Sequence, residues 1–262
     1  MSSREFAGNF ANLINAGFPC VYIPSYEEER ITKLIGQVVQ SQEMIKVQRE
    51  VYEWAQTSGL VGEKEKIRNT TAPMQLLDHI ERAEEAAIYI LKDFHIFFGA
   101  DRHTHPDYGV IRRLRDIIPD MKASRKTIVF IAPKLVIPCD MEKEISVLDF
   151  ALPNEEELEE VLDGLMANLS PQNIRLAGDE KTQLVRSALG LTLQEAENAF
   201  CRAIVRQKGL DVSAISVIHE EKNQVVKKTG VLEFVKSNLS IEDIGGLDNM
   251  KNWLLQIGRA HV

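Results

Sequence analysis

The stretch AIYILKDFHIFFG, from Ala87 to Gly99, constrains the fold of this chain more than any other. Ile88 to Leu91 is an unbroken apolar run, with a glutamate-rich segment before it and charge after it. Such a run suits a strand buried on both faces of a parallel sheet. Asp93 stands where that strand ends. In open α/β sheets the ligand crevice lies outside the strand carboxyl ends, so an acid there can hold Mg²⁺ or position water in a nucleotide site. Taken alone, Asp93 reads more simply as the cap of a loop. The order of the other elements decides how far the first reading extends.

An amphipathic helix over about residues 5–16 leads to a strand at residues 20–23, which Pro24 ends. Ser25-Tyr26-Glu27-Glu28 then has the spacing of a capping box, predicting a helix with Ser25 as N-cap and Glu28 at N3. A second strand is expected at residues 47–54, a glycine-containing loop at 57–62, and a helix opened by Pro73 over about 74–84. After the organising strand come a loop at 99–109, a helix at 110–121, and strands at 126–133 and 144–150. Five strands separated by helices imply a parallel, doubly wound layer. From Pro153 the pattern is helical only, with an Asn154 cap, a helix over about 179–189, a Thr192–Glu195 capping box opening a helix to Gln207, and a last helix over about 212–228. The expected fold class is α/β: a parallel layer of about five strands with a small helical lid subdomain.

The turn between the first strand and its helix is where a P-loop would occur, and the P-loop is missing. A phosphate cradle needs glycines that bring backbone N–H groups close to the phosphates, followed by Lys and Ser or Thr. This turn has no glycine and no lysine, and Glu27, Glu28 and Glu29 place carboxylates where a helix N-terminus would otherwise attract an anion. Composition narrows the partners. A formal charge of -8 and a pI near 5.4 argue against a general binder of nucleic acid or anionic membranes. No apolar run approaches the roughly 20 residues of a membrane span, and the N-terminus lacks a basic start and an apolar signal core. Cys20, Cys139 and Cys201 are too scattered for a disulfide framework or zinc knuckle.

A five-stranded layer followed by a helical lid, joined through Ile145-Ser146-Val147-Leu148-Asp149-Phe150-Ala151-Leu152-Pro153, resembles an AAA-type ATPase module. Ile241-Glu242-Asp243-Ile244-Gly245-Gly246-Leu247 resembles the segment that begins a second, complete AAA module ahead of its P-loop. In that family the Ile-Gly-Gly turn lies against adenine, so the resemblance implies Asp243, Ile244, Gly245 and Gly246 as adenine-side residues. With Val21-Tyr22-Ile23-Pro24-Ser25-Tyr26, Leu91-Lys92-Asp93-Phe94-His95 and Val231-Leu232-Glu233-Phe234, the chain over about residues 6–255 is similar to the cyanobacterial and plastid-encoded family of uncharacterised AAA ATPases.

The resemblance implies a degenerate first module. Asp93 falls at the Walker B aspartate position, whereas Phe94 stands where active modules carry a glutamate that polarises water. Ala132 and Pro133 lie near the usual polar first sensor, and Lys143, near where an arginine finger would be sought, reads as solvated. No catalytic residue is therefore expected in this chain. The implied organisation is a degenerate P-loop-like domain at residues 1–152, a lid-like subdomain at 153–228, and a linker with the start of a truncated AAA module at 229–256. Residues 257–262 depart from the family and read as a non-native tail. ATP and Mg²⁺ are expected for the full-length parent and not for the fragment alone. The expected role is assembly, substrate engagement or regulation, through self-association or protein partners, in a bacterial cytoplasm or chloroplast stroma. A stand-alone interaction module, or a nucleotide sensor without hydrolysis, are the alternatives.

Other constellations carry less. His95, His103 and His105 read as histidines of a solvated loop rather than metal ligands, and Arg112, Arg113 and Arg115 as a salt-bridged solvent face. Phe94, Phe97 and Phe98 read as core before partner patch, and Cys20 and Cys139 as buried thiols.

Overall fold

The computed structural model describes residues 3–63, 65–99, 105–176, 179–229 and 250. Met1–Ile218 forms one compact unit; of the second, His219–Val262, the described part is the end of the last helix and Met250. The elements run α1 (Ser3–Asn15), β1 (Cys20–Pro24), α2 (Glu28–Gln40), β2 (Glu50–Ala55), β3 (Gly59–Gly62), α3 (Pro73–Arg82) and β4 (Ala87–Lys92). A 3₁₀ turn at Phe94–Phe98 leads to α4 (Tyr108–Ser124) and β5 (Thr127–Ala132), and a short turn at Cys139–Met141 leads to β6 (Ile145–Val147). Helices α5 (Glu155–Met166), α6 (Glu180–Ala188), α7 (Leu193–Gln207) and α8 (Ala214–Thr229) follow.

The strands form one sheet in the order β3-β2-β4-β5-β1-β6. Each neighbouring pair is parallel except β2 with β3. The apolar run that opens β4 is buried on both faces, as its composition requires. Tyr89 and Leu91 meet Leu76, Leu77 and Ile80 of α3 and Val110, Leu114 and Ile117 of α4 in one core. Ile88 and Ile90 meet Phe6, Phe10 and Ile14 of α1 and Ile31, Ile35 and Val38 of α2 in the other. Each fully buried aliphatic or aromatic side chain here contributes about 1.5–3 kcal/mol. Two buried cations tie the helices to this frame. Lys126 Nζ donates to the Ile80 and Glu81 carbonyls at the end of α3, at 2.7 and 3.1 Å. Arg49 donates to the carbonyls of Ile14 and Arg125, at 2.9 and 2.7 Å.

Three sequence expectations need correcting. The loop expected at residues 57–62 contains a sixth strand, β3, which turns back on β2 after Gly59 at φ +71°. Thr70 fixes this hairpin, since its Oγ1 accepts the Leu60 N–H at 2.8 Å and its carbonyl accepts Trp54 Nε1–H. The outer rim of β3 is in turn paired, with Gly62 N–H donating to Glu65 O and Ile67 N–H donating to Leu60 O, both at 2.8 Å. Second, α2 begins at Glu28 with Glu27 at its N-cap, not with Ser25 there, and Ser25 Oγ accepts only the Glu27 N–H, at 3.1 Å. The Glu27 carboxylate has partners elsewhere, described below. Third, Cys139 is exposed in a short turn before β6, while Cys20 is buried in β1, where desolvation pushes its thiol up to about 12.

Candidate functional site

The crevice at the carboxyl ends of the parallel strands is built from the β1–α2 turn, the end of β4 and the start of α7. Pro24 closes β1, and the Ser25 N–H donates to Ala132 O at 2.8 Å, which ties the turn to the end of β5. The turn then presents Glu27, Glu28 and Glu29 in succession. The Glu27 side chain is only 5% exposed. Its Oε1 accepts the Leu193 N–H of α7 at 2.7 Å, and its Oε2 pairs with Arg30 Nη1 at 2.7 Å. Around Tyr26–Arg30 and Thr192–Gln194 lies a hollow of about 310 Å³.

The rest of the crevice is also wired internally. Lys92 Nζ pairs with Glu53 at 2.9 Å and reaches Glu28 at 4.0 Å. Burial pushes the Glu28 carboxyl up; attraction to Lys92 opposes this, and the charges of Asp93, Glu29 and Glu53 reinforce it. Asp93 sits directly after β4 with φ 54°, in the left-handed region, and its N–H donates to Ile131 O at 2.9 Å. Its carboxylate makes no capping hydrogen bond, is 57% exposed, and lies 3.8 Å from Nδ1 of His95, which is buried in the 3₁₀ turn and not, as expected, part of a solvated loop. Phe94 points the other way, into a ring cluster with Trp54, Phe97, Phe98 and Phe130 at centroid distances of 5.0 to 5.6 Å. The phenylalanines are core. Ala132 is buried at the end of β5, and Lys143 is exposed.

Mg-ATP does not fit these residues. A phosphate at the turn would meet the carboxylates of Glu27, Glu28 and Glu29 with no glycine or lysine beside them, and the Leu193 N–H at the start of α7 already has an anionic partner. Among the described residues no group of three or more His, Cys, Asp or Glu side chains is placed to hold a metal ion. His103 and the Asp243–Ile244–Gly245–Gly246 turn lie outside the described residues. Arg112 pairs with Asp116, Arg113 with Asp78 and Glu81 at 2.6 and 2.7 Å, and Arg115 approaches Asp140 at 3.9 Å, so the three arginines form a salt-bridged surface.

Sequence reasoning missed Arg30. Its guanidinium donates to Glu27, to Ala151 O at 2.9 Å, to both Glu157 oxygens at 2.7 and 2.8 Å, and to Ser3 Oγ at 3.0 Å, and it lies 4.5 Å over the Phe150 ring. The available signal was the Glu27–Arg30 spacing, one helical turn. Asn154 caps α5 as expected, and Glu157 closes a capping box with it.

Comparison with known proteins places this geometry. Residues 6–150 match the model of the SpoVK-like AAA ATPase N-terminal domain, and residues 156–229 match the second domain of the same proteins. A protein of Guillardia theta, "Uncharacterized AAA domain-containing protein ycf46", is 32% identical over 95% of this chain and 47% of its own length. Its counterpart from Trieres chinensis is 30% identical over 95% of this chain and 48% of its own length. The chain thus spans about half the length of the curated relatives it matches. Among solved structures, a chain of the E. coli MS115-1 HORMA:CdnC:Trip13 complex superposes with a TM-score of 0.58 at 12% identity, covering 82% of this chain and 87% of that one. C. elegans PCH-2 superposes with a TM-score of 0.51 at 8% identity, covering 86% of this chain and 68% of that one. These likenesses establish the AAA-type fold, and the match over residues 6–150 establishes that the chain belongs to the SpoVK-like AAA ATPase family.

Proposed function

We propose that this chain is a non-catalytic AAA module that serves assembly with protein partners, or regulation of an ATP-hydrolysing AAA module carried in the other half of such proteins. The observation that carries this reading is the β1–α2 turn, which offers three consecutive carboxylates and neither glycine nor lysine where a phosphate must be cradled. Phe94, buried among aromatic rings, supports it, because an apolar side chain there cannot polarise water. On this reading residues 1–152 are the degenerate layer, 153–228 the lid-like subdomain, and 229–256 a linker with the start of the next module. Asp93 is then a remnant of a Walker B position. Asp243, Ile244, Gly245 and Gly246 would lie against adenine only together with that following module, which would use ATP and Mg²⁺. The similar Trip13 chain was solved within a HORMA:CdnC:Trip13 complex, which supports a protein as the partner. Among the described residues no helix is long and apolar enough to cross a membrane. The proposed location is a bacterial cytoplasm or a plastid stroma.

The test is ATP binding and hydrolysis by this chain beside the full-length Guillardia theta relative. The expected result is turnover by the full-length protein only, with no change in the melting temperature of this chain on adding Mg-ATP. A melting shift without turnover would favour a nucleotide sensor, and hydrolysis by this chain would overturn the reading.

A further inference from the structure

The first N–H groups of a helix have no partner within it, and their partial positive charge attracts anions. At the start of α7 the capping box accounts for two N–H groups: Glu195 N–H donates to Thr192 Oγ1 at 3.3 Å, and Thr192 N–H donates to Glu195 Oε2 at 2.9 Å. The Leu193 N–H instead donates to Glu27, a residue 166 positions away in the chain. The same carboxylate is held from behind by Arg30, which also grips Glu157 in the first turn of α5 and Ala151 O in the segment leading to it. Through this relay the β1–α2 turn of the sheet layer is fastened to the first and third helices of the helical part.

We infer that Glu27 is an internal substitute for a bound phosphate, latching the helical lid onto the sheet layer whether or not nucleotide is present. This rests on the reading that the module takes no ATP at this turn, and it adds what the carboxylates do there instead. A nucleotide phosphate could join such a turn to a lid helix only while it stayed bound. A carboxylate fixed to the chain makes the same junction permanently, with its position set by Arg30. At 5% exposure the Glu27 side chain is shielded from water, and its pairing with Arg30 and the Leu193 N–H offsets the cost of burying its charge. The module then hands its neighbours a lid of constant angle.

Amide-resolved hydrogen exchange on the whole 262-residue chain tests this. In the wild type, the amides of Leu193 and Glu195 should be protected to the same degree with and without Mg-ATP or inorganic phosphate. In Glu27→Ala they should exchange about tenfold to a hundredfold faster, the scale of a lost charge-assisted hydrogen bond, while the amides of β4 stay unchanged. Millimolar inorganic phosphate should restore protection in Glu27→Ala, because the vacated seat takes an anion. If Glu27→Ala also loses protection in β4, the rescue criterion is applied instead to Glu27→Gly, and Glu27→Gln, whose amide oxygen still accepts the Leu193 N–H and fills the seat, should exchange more slowly than either and show no response to phosphate. Unchanged exchange at Leu193 in the variant, failure of phosphate to restore protection, or nucleotide-dependent protection in the wild type would each overturn the latch. None of these outcomes is the same as ATP turnover by the wild type, which alone would overturn the non-catalytic reading.

Discussion

At Arg30 one guanidinium serves three chain segments at once, and its planar fork matters as much as its charge. A lysine there would keep the charge but not the two-oxygen grip on Glu157 or the stacking on Phe150. Arg30→Lys should therefore destabilise the helical part by about 1–3 kcal/mol, read from urea denaturation followed by circular dichroism. The same cluster sets a pH dependence. Burial alone would push the Glu157 carboxyl up, but hydrogen bonds from Arg30, Ser3 and the Asn154 N–H outweigh it and hold the group below its ordinary 4.5. Glu29, Lys33 and Glu160 line a second surface hollow, which also holds Ser3, Arg30 and Glu157. A folded-state value below the unfolded one means that the pair stabilises fully above pH 4.5 and loses its effect as pH falls through the lowered folded value. Melting temperatures stepped down through pH 4.5 should fall more steeply in the wild type than in Glu157→Gln, and parallel curves would contradict this assignment.

Helix ends show where a chain can be read locally. The Thr192–Glu195 box and the Asn154 cap form as expected, the latter completed by Glu157, because both partners lie within one turn. The Ser25–Glu28 pair has identical spacing, yet Glu27 and Glu28 take partners on α7 and β4 that no local pattern reveals. Strand β3 was hidden for a related reason: it is short, has glycine at both ends, and owes its position to Thr70 ten residues after Leu60. Parallel strands with long apolar runs, such as β4 and β5, were legible because both faces must be buried. Gly209 is a subtler case. It looks like a helix stop, but the residue in left-handed conformation at the end of α7 is Lys208. What Gly209 provides is space, since a Cβ there would fall 2.5 Å from Asn173 O, beside the hydrogen bond from Leu210 N–H to that same oxygen. Gly209→Ala should cost about 1–3 kcal/mol and raise exchange at Arg175 and Leu210 without touching β4. Equal protection in both proteins would show that the loop yields without strain.

Across the whole molecule, the central strands carry two cores back to back, so damage to one face is felt by both. Phe94 is the most informative place to test this, because it joins the end of β4 to β2 and β5 through its ring contacts. Phe94→Ala should lower stability by about 3–5 kcal/mol in a single cooperative transition of the α/β layer. A small loss, or a separate early transition, would mean that the aromatic cluster is a detachable patch. The paired rim of β3 bears on how such a molecule meets others. Its Gly62 N–H and Leu60 carbonyl are already paired with the 65–67 segment and its Leu60 N–H with Thr70, and the opposite edge strand, β6, is only three residues long. The described sheet edges therefore offer a partner little exposed ladder to extend. Under the assembly role proposed above, a joint held by side chains would rotate, loosen and re-form without unzipping any sheet.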